Sequence, residues 1–262
     1  MRKLNIYQVD AFTDRPFGGN PAAVCPLDEW LPDALMQNIA LENNLAETAF
    51  YVPTAGGFHI RWFTPAVEVD LCGHATLASA HVLYSIAGYA GEQIEFRSRS
   101  GSLLVRQLEP GLYSMDFPAD RLEAVPPPVE IAEGLGVQPQ AVFRGRDDFL
   151  AILGSEEEIR ALNPDFRKLA QLDSRGVIAT AAGKEVDFVS RGFFPQSGVD
   201  EDPATGSAHT TLPVYWAKQL GKTQFKALQL SKRVGQFEIT LRGDRVDLVG
   251  SAQTYLEGTI FV

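Results

Sequence analysis

A thiol and a carboxylate stand at matching places in two related segments of this chain. Cys72 lies in residues 70–76, Asp-Leu-Cys-Gly-His-Ala-Thr, and Asp202 lies in residues 200–208, Asp-Glu-Asp-Pro-Ala-Thr-Gly-Ser-Ala. Each segment contains Gly or Pro and precedes a predicted helix. Both groups can donate or accept a proton, so a cleft that brings them together would be suited to proton transfer.

The two segments belong to a longer repeat with a constant offset of 130 residues. Residues 63–80 resemble residues 193–208, and one further arginine pair agrees just upstream. This repeat predicts two related halves that face each other. The identical pairs are Arg61/Arg191, Phe63/Phe193, Pro65/Pro195, Val69/Val199, Asp70/Asp200 and Ala78/Ala208.

The helix starts in these segments suit a negatively charged ligand. Unpaired backbone N–H groups and the positive end of a helix dipole favour a carboxylate. Thr205 and Ser207 add hydroxyl groups on either side of Gly206, so we expect a small anionic metabolite to bind here. Two structural alternatives stay open: Thr205 or Asp202 only caps the helix, and Cys72 is only a small buried residue.

The composition excludes several classes of protein. Of the 262 residues, 45% are hydrophobic and 21% are charged, which is typical of a soluble globular protein with one large or two ordinary domains. No apolar run approaches the roughly 18 residues of a membrane span. Residues 1–10 alternate like a strand rather than a secretory signal, so we expect a cytoplasmic location and no membrane partner. The net charge of −10 argues against nucleic-acid binding.

The cysteine count and the missing motifs narrow the chemistry further. Cys25 and Cys72 form no C-x-x-C motif and have no histidine at metal-ligand spacing, so we expect free thiols and no metal. Motifs for dinucleotide binding and phosphate loops are not found. Residues 205–207, Thr-Gly-Ser, lack the elbow sequence of a hydrolase nucleophile, which disfavours acyl transfer.

Strand patterns outnumber helix patterns, and each half contains one helix that is apolar on all sides. Such a helix is stable only if a curved sheet surrounds it, which predicts an α+β fold. Helices are predicted at 32–43, 74–84 and 205–219, and strands at 4–12, 47–52, 59–63, 93–99, 102–108, 112–117, 148–153, 176–181, 186–194, 226–231, 236–241 and 245–249.

Three consecutive prolines at 126–128 mark the predicted linker, because they end regular structure and stiffen the chain. The predicted division is therefore an N-terminal half at 1–125 and a C-terminal half at 126–251. Residues 252–262 alternate like a strand, and we expect them to return to the N-terminal half.

Four spaced motifs together resemble the PhzF-like family of phenazine-biosynthesis proteins. They are Gly-Gly-Asn-Pro-Ala-Ala-Val at 18–24, Leu-Ala-Glu-Thr-Ala-Phe at 45–50, Cys-Gly-His-Ala-Thr at 72–76, and Glu-Asp-Pro-Ala-Thr-Gly-Ser-Ala at 201–208. The family is similar in fold to diaminopimelate epimerase. The resemblance implies two pseudo-symmetric halves, each a rolled, mostly antiparallel sheet around a central helix, with the active site between them.

The same resemblance implies roles for individual residues. Glu47 would be the general acid/base of a cofactor-independent isomerase, and His74 and Asp202 would assist in binding and proton positioning. Epimerase relatives use two cysteines, but this chain has Cys72 at the first position and Asp202 at the second. A homodimer is also implied. The expected substrate-binding residues are Asn20, Cys72, Gly73, Thr205, Gly206 and Ser207.

The residues around Glu47 give an independent reason to consider it. Ala46, Ala49 and Phe50 are apolar, and partial desolvation by such neighbours would raise the pKa of the Glu47 carboxyl toward that of a general base. The alternative is a solvated residue at a strand start. His74 would donate to a substrate carboxylate or only satisfy a nearby carbonyl. The other three histidines, His59, His81 and His209, are interpreted as structural.

Three functions stay open from the sequence. The first is an isomerase of the PhzF-like class that moves a proton within a small unsaturated carboxylic acid in a biosynthetic process. The second is an amino-acid racemase or epimerase that uses Cys72 with Asp202 or Glu47. The third is a small-molecule or protein-binding module that keeps the cleft without catalysis.

Overall fold

The computed structural model describes residues 1–262 and divides them into two compact units. The first unit contains Met1–Asp116 and Val249–Val262, and the second contains Phe117–Leu248. The three prolines at 126–128 lie inside the second unit, so the division falls earlier in the chain than the predicted residue 125. The C-terminal residues group with the first unit.

The first unit contains two α-helices and a mixed set of strands. Its elements are β1 (Lys3–Ala11), β2 (Asn20–Pro26), α1 (Asp33–Asn43), β3 (Glu47–Thr54), β4 (Gly57–Phe63), β5 (Glu68–Val69), α2 (Gly73–His81), a π-helical turn (Val82–Ile86), β6 (Gln93–Ser98), β7 (Gly101–Glu109) and β8 (Leu112–Pro118). Strand β8 crosses the division between the units.

The second unit contains the remaining elements, several of which the sequence patterns did not predict. They are β9 (Glu123–Val125), α3 (Val129–Leu135), β10 (Ala141–Arg144), β11 (Asp148–Ile152), α4 (Glu156–Ala161), α5 (Phe166–Leu169), β12 (Gly176–Ala182), β13 (Phe188–Phe194), a 3-10 turn (Pro195–Ser197), β14 (Val199–Asp202), α6 (Ala208–Leu220), β15 (Gln224–Gln229), β16 (Gly235–Arg242) and β17 (Arg245–Phe261). The part of β17 from Val249 onwards belongs to the first unit.

Strand pairing follows the same order in the two units. In the first unit β2–β3 is parallel, β3–β4 antiparallel, β4–β6 parallel and β6–β7 antiparallel. In the second, β11–β12 is parallel, β12–β13 antiparallel, β13–β15 parallel and β15–β16 antiparallel. The helices α2 and α6 follow the third strand of each series and precede the fourth. The repeat seen in the sequence is therefore a repeat of topology.

One ion pair recurs at the same place in both units. Arg61 on β4 donates to both carboxylate oxygens of Glu68 on β5, at 2.6 and 2.7 Å, and lies 5.2 Å from the centre of the Phe63 ring. Arg191 on β13 donates in the same way to Glu201 on β14, at 2.7 and 2.9 Å. Both pairs hold the short strand that leads towards the following helix.

Helix α2 is buried on every side. All of its residues except Gly73 are buried, and α2 contacts β1, β2 and β3. Its polar side chains therefore need partners within the protein. The Thr76 hydroxyl donates to the Cys72 carbonyl at 2.6 Å, and the Ser79 hydroxyl donates to the Ala75 carbonyl at 2.8 Å. A buried helix inside a mixed, mostly antiparallel sheet confirms the predicted α+β class.

Several element boundaries differ from those predicted. The helix expected at 74–84 changes to the π-helical turn after His81, and the helix expected from Thr205 begins at Ala208. The two pieces expected near the C-terminus form one continuous strand, β17. The longest helix, α6, has 13 residues, and no helix in the structure is long and apolar enough to cross a membrane.

We expect Leu77→Ala to lower the free energy of unfolding by about 2–5 kcal/mol, because it leaves a cavity beside the buried helix. Leu77 on α2 is 0% exposed, whereas Leu41 on α1 is 56% exposed. The matched control Leu41→Ala should change stability by less than about 0.5 kcal/mol. Urea denaturation measures both, and equal effects would contradict the central burial of α2.

Candidate active site

The site residues suggested by the sequence lie in two clusters, one in each unit. Cluster one, in the first unit, contains Asn20, Glu47, Cys72, Gly73 and His74. Cluster two, in the second unit, contains Asp202, Thr205, Gly206 and Ser207.

Asn20 enters cluster one because a tight turn places it at the start of β2. Gly19 has a φ of +53°, and a Cβ at this position would collide with the carbonyl oxygen of Ala11. Only glycine adopts this backbone there without strain. Asn20 then pairs with Ala11 across the antiparallel β1–β2 ladder and is fully buried.

Glu47 is the first residue of β3, directly after the turn that ends α1. Asn44 ends α1 in the left-handed conformation, with a φ of +50°. The parallel pairing of β2 and β3 then sets Glu47 beside Ala22, near the start of β2. The Glu47 side chain is only 16% exposed. The interpretation of Glu47 as a solvated carboxylate is therefore wrong.

His74 joins Asn20 to Glu47. It lies in the first turn of α2 and is 5% exposed. Its Nδ1 is 3.2 Å from Asn20 Nδ2, and its Nε2 is 3.2 Å from Glu47 Oε2. An amide nitrogen only donates, so Nδ1 accepts and the neutral ring carries its hydrogen on Nε2. The ring nitrogen that carries the hydrogen therefore stands at ion-pair distance from the Glu47 carboxylate.

Cys72 lies at the N-cap position of α2 and is 6% exposed. Its side chain makes no capping hydrogen bond, and its Sγ is 3.5 Å from His74 Nδ1. The partly buried Gly73 separates the two residues along the chain. The thiol thus contacts the same imidazole that contacts Glu47, rather than only filling space in the core.

Cluster one also offers donor atoms to a metal ion. Glu47, Cys72 and His74 each place one possible ligand atom within 4.8 Å of the others. The thiol contacts Nδ1 of the ring, whereas the carboxylate contacts Nε2. These two nitrogens point in different directions, so one ion bound by all three residues would require a rearrangement.

Cluster two is held together by a residue that the sequence did not single out, Gln229 on β15. The Gln229 side chain accepts from the Thr205 backbone N–H at 2.8 Å and donates to the Asp202 carbonyl at 2.6 Å. It also donates to the Thr205 hydroxyl at 3.0 Å. That hydroxyl in turn donates to the Asp202 carboxylate at 2.5 Å. The turn between β14 and α6 is therefore fixed by side-chain hydrogen bonds.

The start of α6 corrects the capping interpretation. The N-cap residue is Ser207, no side chain caps the helix, and Thr205 donates to Asp202 instead. The Ser207 hydroxyl accepts a hydrogen bond from Arg175 Nη2 at 3.0 Å. Arg175 was also missed, because residues 173–176, Asp-Ser-Arg-Gly, match no motif. The helix start thus presents Ser207 and the buried Gly206.

His209 supports cluster two from beneath. It is fully buried, its Nδ1 donates to the Thr205 carbonyl at 2.8 Å, and its ring stacks on Phe237 with centroids 3.5 Å apart. Burial lowers the pKa of His209 to about 4. The imidazole is therefore neutral at neutral pH and positions Thr205. His81, whose pKa burial also lowers to about 4, pairs with Tyr113 and Thr254.

Comparison with known proteins places these features in a family. A sequence profile described as phenazine biosynthesis-like protein matches residues 9–258. An uncharacterized isomerase of Pseudomonas aeruginosa is 52% identical over 258 residues, which cover 98% of this chain and 99% of that protein. The crystal structure of a PhzF family protein of Enterococcus faecalis covers 100% of both chains with a TM-score of 0.96 and 44% identity.

A more distant structure shares the fold alone. A hydroxyproline epimerase from Agrobacterium vitis matches with a TM-score of 0.60 and 10% identity, over 99% of this chain and 92% of that one. The chain therefore shares its fold with this epimerase. By sequence, the chain belongs to the phenazine biosynthesis-like family, which confirms the resemblance found in its motifs.

We expect acid to destabilise the protein through His209. The pKa of His209 is about 4 in the folded state and about 6.5 in the unfolded state, so the unfolded chain binds the proton first as the pH falls. The stability contributed by the neutral ring is complete above about pH 6.5 and is lost as the pH approaches 4. The loss should total roughly 3 kcal/mol.

The variant His209→Asn isolates this effect, because its amide keeps a donor near the Thr205 carbonyl but does not titrate. Urea denaturation at several pH values should show a steeper decline in the free energy of unfolding for the wild type than for the variant. Parallel pH profiles would show that His209 does not carry the predicted dependence.

Proposed function

We propose that this protein is a cofactor-independent isomerase that moves a proton from one carbon to another in a small unsaturated carboxylic acid. The observation that carries this proposal is the buried pair formed by Glu47 and His74, with 3.2 Å between Oε2 and Nε2. The independence from a cofactor follows from the family resemblance. Membership of a family with members named as isomerases supports the reaction class.

The chemistry assigned to Glu47 needs no other reactant. The ionised carboxylate takes a proton from the carbon next to the substrate carboxylate, and the C–H bond electrons form a new double bond. The electron pair of the existing double bond moves to its far carbon, which takes the proton back from Glu47, so the double bond ends one position closer to the carboxylate. No atom or electron is gained or lost overall.

His74 and Asn20 prepare Glu47 for this role. His74 Nε2 lies 3.2 Å from one carboxylate oxygen of Glu47, and this close contact restrains the carboxyl group. Asn20 donates to Nδ1 and so selects the ring tautomer that can make this contact. Holding a base in one orientation in a partly dry site contributes to the rate.

Cluster two is assigned to substrate binding. The hydroxyl of Ser207 and the backbone N–H groups at the start of α6 can donate to a substrate carboxylate. Thr205 holds the Asp202 carboxylate, which suits a residue that positions a proton rather than one that binds an anion. These assignments follow the family resemblance and agree with the hydrogen bonds within the cluster.

We expect Glu47→Gln to lower turnover by about a hundred- to ten-thousand-fold, because glutamine cannot accept the proton. The measurement is conversion of vinylacetate and related β,γ-unsaturated acids in heavy water, followed by proton NMR. The product is the conjugated acid, and it carries deuterium at the carbon that receives the proton wherever Glu47 exchanges its proton with the solvent before returning it.

The control for this experiment is Glu42→Gln, which changes an exposed carboxylate on α1 five residues before Glu47. It should retain wild-type turnover. Unchanged conversion of these acids by Glu47→Gln, or no conversion of any acid of the panel by the wild type, would contradict the proposed function.

The contact between Cys72 and His74 favours a second candidate, racemisation at an α-carbon. The thiol lies 3.5 Å from His74 Nδ1, which can take its proton once the Asn20 amide releases that nitrogen. In this case Cys72→Ser should abolish exchange of the α-hydrogen of amino acids into heavy water. In the isomerase, the same variant should keep most of its turnover with unsaturated acids, since Glu47 and His74 stay intact.

A further inference from the structure

We propose that Arg175 is a positioning residue that aims the hydroxyl hydrogen of Ser207 at an acidic group of the ligand. This inference rests on the proposed function insofar as it takes the ligand to be a carboxylate. Neither Arg175 nor its partner Asp148 belongs to any of the four sequence motifs. The inference comes from the position of the Arg175 side chain between Asp148 and Ser207.

Arg175 is anchored on three sides. Its Nε donates to Asp148 Oδ1 at 2.9 Å, and its Nη2 donates to Asp148 Oδ2. The Asp148 side chain is only 4% exposed, and the guanidinium carbon lies 5.2 Å from the centre of the Phe194 ring. The backbone N–H of Arg175 donates to the Asp147 carbonyl at 2.8 Å. A bidentate ion pair with a buried carboxylate holds the guanidinium in one plane.

This fixed guanidinium decides how the Ser207 hydroxyl is used. Arg175 Nη2 lies 3.0 Å from Ser207 Oγ, and a guanidinium can only donate, so the serine oxygen must accept. The single hydroxyl hydrogen of Ser207 is then directed away from Arg175. The neighbouring Thr205 differs, because its hydroxyl already donates to Asp202. Within the turn 205–207, Ser207 therefore carries the hydroxyl hydrogen that a ligand can use.

The charge of Arg175 is largely compensated within the protein. Asp148 pairs with it directly, and Asp147 and Asp202 also act on it electrostatically. Long-range attraction of an anion is therefore a minor part of its effect. The role left for Arg175 is directional: it keeps the Ser207 hydroxyl turned so that a carboxylate oxygen can accept from it. A hydrogen bond to an ionised carboxylate is charge-assisted and is stronger than one to a neutral acceptor.

In a purely structural role, Arg175, the residue before β12, would only bind Asp148 and so link β11 to β12. The two roles differ in one measurable respect. If Arg175 acts through Ser207, loss of either residue weakens carboxylate binding, and loss of both weakens it no further. If Arg175 acts only on the fold, its effect adds to that of Ser207.

The experiment is a double-mutant cycle on the full chain with benzoate as the probe and benzamide as its uncharged counterpart. Dissociation constants are measured by NMR titration for the wild type, Arg175→Gln, Ser207→Ala and the double variant. We expect each single variant to bind benzoate about tenfold more weakly, and the double variant to match Ser207→Ala. Benzamide binding should change by less than threefold throughout.

Two further variants complete the design. Arg160→Gln removes an exposed arginine that pairs with the buried Glu156 on α4; neither residue belongs to cluster two, so benzoate binding should not change. If Arg175→Gln does not fold, Arg175→Lys takes its place in the cycle, because lysine keeps the charge opposite Asp148 but lacks the planar fork that reaches Ser207 as well.

Binding of benzoate requires no turnover, so the outcome is separate from the test of Glu47. A wild type that binds benzoate no better than benzamide would overturn the inference. A double variant with the product of the two single losses, about a hundredfold, would also overturn it. If the four proteins bind benzoate as expected but the wild type transfers no proton in the turnover assay, the role of Arg175 stands. Only the proposed reaction is then contradicted.

Discussion

The complete burial of α2 is the constraint on which the rest of the first unit depends. A helix that meets sheet on every side gains apolar burial, but each of its polar side chains must find a partner inside the protein. Thr76 and Ser79 find theirs within the helix itself. His74 lies in the first turn, and its ring contacts Asn20 and Glu47 on the surrounding strands. The requirement that buries the helix therefore also assembles cluster one.

The second unit repeats the scaffold and changes the chemistry. Arg191 and Glu201 reproduce the pair of Arg61 and Glu68, and the strand pairing follows the same sequence. At the helix start, however, Asp202 stands where the first unit has Cys72. The two units share one topology but carry different reactive groups. Such a pair suits a reaction in which the two groups act on different atoms of the substrate. This asymmetry favours isomerisation over racemisation by two equal groups.

The sequence predicted most of the first unit because its elements are periodic and bounded by turn residues. Strands and helices near 33–63 and 93–117 agree with those observed to within a few residues. The helices α3, α4 and α5 were not predicted, because each is at most seven residues long and shows little periodicity. The division between the two compact units lies within β8, where no turn marks it in the sequence.

The candidate residues Glu47, His74 and Asp202 lie in compact motifs, so the sequence alone could single them out. Arg175 and Gln229 were not singled out, since they contact residues 32 and 24 positions away along the chain. Nothing in their local sequence differs from an ordinary surface arginine or strand glutamine. Only the pairing of β11 with β12 and of β13 with β15 brings them to the start of α6.

The proposed role of cluster one depends on which nitrogen of the His74 ring carries the hydrogen. Nitrogen-15 NMR of the imidazole in the full-length protein at neutral pH reports directly which ring nitrogen carries it. Donation from the Asn20 amide to Nδ1 requires a neutral ring with hydrogen on Nε2 and none on Nδ1. A ring with its hydrogen on Nδ1 would contradict the orientation of Glu47 by His74, and with it the basis for assigning Glu47 as the base.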